Sequence, residues 1–254
     1  MRILDLFSGL EGWSRPARAM GHDVVTLDLD PRFRADHVVD IRSIDRLDVL
    51  ERDGPFDLIL ASPPCEAFST GSIGRNWTGG LRAYVPKSDR ARQGLAVMRA
   101  TFALVDAYRD AHPGVRYVIE NPRGMMRKLA PRPPTATTWY CRWGTTRAKP
   151  TDLWTNVDLF PPGAWPRCHN GADDHDAQSR YYRRRKELGQ TGGTQGLPDA
   201  AARALIPPAL ATAVIVHVAA LISGQGPVAG VLSARGRDPD DHGRDATVQP
   251  DRMA

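Results

Sequence analysis

Phe56-Asp57-Leu58-Ile59-Leu60-Ala61-Ser62-Pro63-Pro64-Cys65-Glu66-Ala67-Phe68-Ser69 decides the fold class of this chain. Its first six residues form a short apolar run of strand character, and Pro63-Pro64 ends the strand and fixes the backbone behind it. A thiol is thereby set on a loop at a strand's carboxyl end. Further along, Arg116-Tyr117-Val118-Ile119 is a second such run, followed by Glu120-Asn121-Pro122-Arg123. Toward the N-terminus, Ile3 to Phe7 and Val24 to Leu29 read as strands, with a helix over Trp13 to Met20 between them and a shorter strand at Val38 to Ile41. Ser88 caps a predicted helix whose Leu95, Met98, Phe102 and Val105 recur on one face, and His112-Pro113-Gly114 ends it. Strands alternating with helices predict an α/β fold with a parallel sheet and crossover helices. Ligands of such sheets sit beyond the carboxyl ends of the strands, where these strings fall.

The 254 residues, 41% hydrophobic and 25% charged, suffice for a sheet covered on both faces. A formal net charge of +5 suits a polyanionic partner without selecting one. Cys65, Cys141 and Cys168 are too widely spaced for a disulfide scaffold and point to a reducing, cytoplasmic setting. Met1-Arg2-Ile3-Leu4-Asp5 has no signal-peptide apolar core. Ala209 to Ile222 carries Thr212 and His217 and is too short to span a bilayer, so it is expected to be a core helix begun by Pro207-Pro208. Neither membrane association nor an oligomer is expected. A main domain is expected over 1–156, with two further strands at Thr135 to Trp143 and Thr151 to Asn156. A small irregular insertion follows over 157–196, then a segment over 197–223 that returns to the main domain. A disordered Gly-, Asp- and Arg-rich tail closes the chain over 224–254.

Asp5-Leu6-Phe7-Ser8-Gly9-Leu10-Glu11-Gly12 puts two glycines in a strand-to-helix turn, where the backbone can approach a ligand closely. Asp28 and Asp30, ending the second strand, and then Asp40-Ile41 are placed to accept hydrogen bonds from an adenosine; a run of solvated strand-end acids is the plainer reading. No Gly-x-x-x-x-Gly-Lys string occurs, so an S-adenosylmethionine-type ligand is more natural than a nucleoside triphosphate. Cys65 alone could be a small buried hydrophobe. Glu120 at a neighbouring strand end raises it above that. Carbon 6 of cytosine can be attacked only if a donor supports the charge developing at N3, and a thiolate with a protonated carboxylic acid meets that need. Cys168, His169 and His175 do not match a structural zinc spacing. Arg180-Tyr181-Tyr182-Arg183-Arg184-Arg185-Lys186 suits phosphate contacts and base stacking, or equally a solvated helix face.

In this order the three strings resemble the core motifs of the DNA cytosine-C5 methyltransferases. Asp5-Leu6-Phe7-Ser8-Gly9 is similar to the family's cofactor motif, Pro63-Pro64-Cys65 to its Pro-Cys loop, and Glu120-Asn121 to the Glu-Asn pair that clamps the target base. The resemblance covers about Arg2 to Asn156 and resumes at Gln195 to Val216. It implies a Rossmann-like, S-adenosylmethionine-dependent methyltransferase fold, with 157–196 as a small irregular C-terminal recognition element. Cys65 would then attack C6, Glu120 would serve N3, and C5 would take the methyl group, the base being flipped out of double-stranded DNA. Asn121 and Lys149 would complete the catalytic group. Asp5, Phe7, Ser8, Gly9, Gly12, Trp13, Asp28, Asp40, Ile41 and Pro63 would line the cofactor, with core packing an equal reading for Phe7 and Trp13. Ser69, Arg123, Arg180, Arg183, Arg184 and Arg185 would meet DNA, and no metal is expected.

The chain also departs from that pattern. Pro122-Arg123-Gly124 follows Glu-Asn where the family carries Val. Arg147-Ala148-Lys149-Pro150-Thr151 stands in place of Gln-x-Arg-x-Arg, and Arg203-Ala204-Leu205-Ile206-Pro207 in place of Gly-Asn-x-Val-Pro. The short recognition segment looks most like that of compact, stand-alone bacteriophage methyltransferases. Three rival readings stay open. Arg203 facing the cofactor's sulfonium would suit carboxy-S-adenosylmethionine and carboxymethyl transfer. A branch of the superfamily methylates RNA cytosine instead. A non-catalytic DNA-binding protein would suit the departures at Lys149 and Arg203, although it needs neither Cys65 nor Glu120.

Overall fold

The computed structural model describes residues 1–43, 48–79, 84–145, 149–159 and 204–225. Its first half runs β1 (Arg2–Leu6), α1 (Ser14–Ala19), β2 (Asp23–Asp28), β3 (His37–Val38), α2 (Asp48–Asp53), β4 (Leu58–Ala61), α3 (Ile73–Asn76), β5 (Trp77–Thr78) and β6 (Val85–Pro86). Then come α4 (Asp89–Ala111), β7 (Arg116–Pro122), α5 (Met126–Leu129), β8 (Ala136–Trp139), β9 (Pro150–Thr155) and α6 (Pro208–Ile222). Seven strands make one sheet in the order β3-β2-β1-β4-β7-β9-β8, while β5 and β6 pair as a small separate ribbon. The five strands from β3 to β7 are parallel, and β1 between β2 and β4 marks the switch in strand order at which ligands of such sheets bind. The sheet is α/β and Rossmann-like, as expected.

Three expectations are corrected at the far edge. The sheet is not wholly parallel, because β9 runs antiparallel to both β7 and β8. The connection between β8 and β9, which opens with a 3-10 turn over Tyr140–Trp143, is too short for a crossover helix. That turn also ends the strand expected over Thr135 to Trp143. Pairing with β9 carries β7 through Pro122, so Glu120 and Asn121 lie within the strand, opposite Leu153 and Asp152, and not beyond its end. The strand expected at Val38 to Ile41 is confined to His37–Val38.

Side chains alternate along each strand, so successive residues feed opposite faces. Leu4, Leu6, Ile59, Tyr117 and Ile119 pack with Met98, Phe102 and Val105 of α4. Ile3, Leu58, Leu60, Val118 and Leu153 face the other way, onto Ala17 of α1 and Leu210, Ala211, Val214 and Val218 of α6. Ser88 starts α4 as the sequence predicts, its hydroxyl accepting from the Ala91 N–H at 3.1 Å. Burying each large apolar side chain of α4 contributes about 1.5–3 kcal/mol. The stretch read as a core helix is α6, and no helix among the described residues is long and apolar enough to cross a membrane. Residues 160–203 and 226–254, with most of the expected insertion and the expected disordered tail, lie outside the described residues.

Candidate active site

The loop after β1 is bent by left-handed backbone at Phe7, Gly9 and Glu11, with φ of 63°, 49° and 59°. Phe7, bulky and partly buried, is the costly member of that set. The Phe7 and Ser8 N–H groups both donate to the Leu27 carbonyl, at 2.8 and 3.2 Å. Asp28 at the end of β2 accepts from the Gly9 N–H on one carboxylate oxygen and the Asp30 N–H on the other, both at 2.9 Å. Each oxygen keeps a further lone pair for a ligand hydroxyl. Asp40 lies just past β3 with its carboxyl held below the ordinary range by Arg42, and Ile41 beside it is buried in the core. Leu29 and Val38 stay exposed in the same region. Acceptors at successive strand ends, exposed apolar side chains and an open backbone turn fit an adenosine-bearing ligand.

Four residues assigned to that ligand have partners within the chain. A Cβ on Gly12 would stand 2.8 Å from the Ile206 nitrogen, so the backbone that approaches there is the chain's own. Trp13 is 2% exposed, which gives it to the core; its indole N–H donates to the Ser62 hydroxyl at 3.0 Å, tying the β1 loop to the Pro-Pro-Cys string. Pro63 is buried and its carbonyl accepts from the Asn121 amide at 2.8 Å. Asp5 is fully buried and accepts from the Ser14 hydroxyl, while its Oδ1 has no partner among the described residues. Burial pushes its carboxyl up to about 7.

Cys65 follows β4 on a loop gripped from several sides. The Phe68 and Ser69 N–H groups donate to the Cys65 carbonyl at 3.0 and 3.1 Å. The Trp77 indole donates to the Ala67 carbonyl at 2.7 Å, and the Met125 N–H to the Phe68 carbonyl at 2.8 Å. Gly124 lies so close that a Cβ there would stand 2.3 Å from the Phe68 oxygen, and one on Gly94 would stand 2.7 Å from the Ala67 Cβ. A side chain at position 124 would push the cysteine loop away, which gives Gly124 its structural reason. Arg123 is exposed and Ser69 partly so.

Glu120 is 3% exposed on β7, within reach of groups from three other segments. The Tyr140 hydroxyl donates to its Oε1 at 3.0 Å, the Lys149 ammonium lies 3.9 Å from the same oxygen, and the Ser62 hydroxyl is near enough to favour the ionised carboxyl. Burial raises the Glu120 pKa against the opposing pull of Lys149, Tyr140 and Ser62. The Cys65 thiol is pushed up to about 11 by burial; Lys149 pulls it down, while negative charge on Glu120 raises it further. Cys65, Glu120 and Lys149 therefore form one electrostatically coupled group. Protonating Glu120 makes the thiolate easier to form.

The sequence pattern missed Tyr140, Ser62 and Trp77. The signal for Tyr140 was its place next to a hairpin partner of Lys149: Trp139 pairs with Pro150, and the Tyr140 N–H donates to the Lys149 carbonyl at 3.0 Å. Arg180, Arg183, Arg184, Arg185 and Lys186, the Cys168-His169 pair, and Arg203 with the carboxymethyl reading lie outside the described residues.

A mostly parallel sheet that gathers a thiol, a buried carboxyl and an ammonium beside an adenosine-fitting turn has the makings of a group-transfer enzyme of the methyltransferase type. No family model matches the chain. It is 34% identical over 171 residues to the probable DNA (cytosine-5)-methyltransferase of Frog virus 3 (isolate Goorha), an alignment covering 64% of this chain and 73% of the viral protein. The chain belongs to the DNA (cytosine-5)-methyltransferase family. Among solved structures it aligns with the Entamoeba histolytica methyltransferase EhMeth at 12% identity and a TM-score of 0.41, covering 70% of this chain and 62% of that one. With the S. pombe Dnmt2 methyltransferase the values are 15% and 0.37, covering 63% and 51%. The chain thus spans between half and two thirds of the length of those two solved proteins.

Proposed function

We propose that this enzyme methylates C5 of a cytosine flipped out of double-stranded DNA, using S-adenosylmethionine and a covalent adduct through Cys65. The observation that carries the reading is the convergence of Cys65, Glu120 and Lys149 from neighbouring strands into one coupled group. S-adenosylmethionine, held at the ends of β1 and β2, would supply an electrophilic methyl group. Asp28 and Asp40 are the residues to hold its ribose and base. Cys65 Sγ bonds to C6, and Glu120 holds a proton at N3, so the electron pair displaced from the C5–C6 bond makes C5 nucleophilic. After transfer a water molecule takes the C5 proton, the freed C–H pair re-forms the C5–C6 double bond, the S–C6 pair returns to Cys65 as thiolate, and N3 gives its proton back to Glu120. Asn121 holds the Pro63 carbonyl and so positions the cysteine loop.

Lys149 supports both ends of this chemistry. Its charge favours the Cys65 thiolate and compensates Glu120 when the carboxyl is ionised. A binding module would gain nothing from burying these three groups together, since each is costly to bury alone. Nucleoside mass spectrometry of DNA and RNA incubated with the purified protein and S-adenosylmethionine tests the reading. 5-methylcytosine in the DNA is expected. Its appearance only in RNA, or in neither, would contradict the proposal.

A further inference from the structure

Tyr140 lies outside the three strings that resemble the family's motifs, yet it hydrogen-bonds the Glu120 carboxyl directly. It is fully buried at the 3-10 turn after β8, and its hydroxyl donates to Glu120 Oε1 at 3.0 Å. The Lys149 ammonium lies 4.4 Å from the centre of the Tyr140 ring and 3.9 Å from that same oxygen. A cation over a phenol ring withdraws electron density and makes the hydroxyl a stronger donor. The three groups close a compact triangle: the ammonium polarises the ring, and the ring's hydroxyl grips the carboxyl.

We propose that Tyr140 is a positioning residue that orients the Glu120 carboxyl and sets its proton affinity, with Lys149 tuning the strength of that grip. The inference rests on Glu120 being the group that serves N3. Among the described residues, the other groups facing Glu120 are Ser62 from the loop after β4, Lys149 and Asp152 around β9, and Cys65 through its charge. Asp152 is matched by Arg127, which donates to it from α5, so its charge is largely cancelled. Ser62 has its oxygen engaged by the Trp13 indole as well. Tyr140 is the one phenol in the group. Its hydroxyl can be removed without losing the ring that Lys149 packs against.

Tyr140→Phe tests this by two readouts. The titration midpoint of the Glu120 carboxyl, followed by 13C NMR and assigned by its disappearance in Glu120→Gln, should rise by roughly half a unit or more, because a donor to the ionised form has been lost. Turnover on DNA should fall about tenfold, and the limb of the kcat/KM profile that belongs to Glu120 should move to higher pH. Replacing Tyr140 with 3,5-difluorotyrosine, which keeps the shape and strengthens the donor, should move the midpoint down, and covers the case in which Tyr140→Phe does not fold. An unmoved midpoint in both proteins, or a moved midpoint with unchanged turnover and profile, would overturn the proposal. A wild type inactive on DNA whose midpoint still moves as described would sink the proposed reaction and not the contact.

Discussion

The loop after β1 and the loop after β4 leave neighbouring strands of one sheet, yet they are held in opposite ways. The first takes its bend from its own backbone, with three residues at positive φ held to Leu27 and Asp28 of the next strand, while at its far end Gly12 and Trp13 meet Ile206 and Ser62. The second uses ordinary backbone and is fixed from outside, by Asn121, Met125 and Trp77 and by the close approach of Gly94 and Gly124. A turn that must let a ligand near its backbone cannot be crowded by side chains. A loop that must hold a nucleophile to within half an ångström gains from being crowded. The difference teaches that, at one edge of the sheet, one loop is built for admission and its neighbour for aim.

The largest effect that would sharpen this contrast lies on the aiming side. Glu120→Ala should lower turnover by about 10²–10⁴-fold, the range of a lost acid–base group, with cofactor affinity changed little. Glu120→Gln should retain more activity, because its amide still donates. Equal rates for wild type and Glu120→Ala would remove the carboxyl from the chemistry. On the admitting side, the effect should appear as stability. Asp5 has a folded-state pKa raised from 3.8 to about 7, so the native state binds the proton more tightly than the unfolded chain, and stability falls as pH rises between those values. Asp5→Asn should therefore stabilise the protein at pH 8 by up to roughly 4 kcal/mol, a gain that shrinks toward pH 4. Denaturant midpoints at the two pH values measure it, and a gain independent of pH would contradict the assignment.

How much of this was legible in the sequence divides along the same line. Local patterns sufficed for the strands, for the Ser88 cap, and for the placing of Cys65 and Asp28 at one edge, because turn chemistry and period-two alternation act between near neighbours. The clamps were not legible. Asn121 reaches back to Pro63, Trp13 to Ser62, Gly124 to Phe68 and Gly12 to Ile206, and no spacing rule encodes contacts set by tertiary packing. The antiparallel edge was misread because β8 and β9 carry the same strand residues in either direction; only their short connection decides.

Smaller effects separate the two loops directly. Gly124→Ala must displace the Phe68 carbonyl and should cost about 1–3 kcal/mol, with kcat falling while cofactor affinity holds. Gly9→Ala meets only open space, its nearest neighbour being the Phe7 oxygen at 3.8 Å, and should cost about 1 kcal/mol for its positive φ. Its functional effect should fall on cofactor affinity and leave kcat nearly unchanged. Paired measurement of cofactor Kd and kcat in the two variants checks both. A reversed pattern would dissolve the contrast.

The central claim is that Cys65 bonds to C6 of the target base, and trapping the adduct tests it most directly. A duplex carrying 5-fluorocytosine at the methylation site cannot complete the final elimination, so the enzyme should remain attached. Intact mass spectrometry of wild type with this duplex and S-adenosylmethionine should show one protein–DNA conjugate, absent in Cys65→Ala. A conjugate that persists in Cys65→Ala, or that maps by peptide sequencing to another residue, would contradict the account.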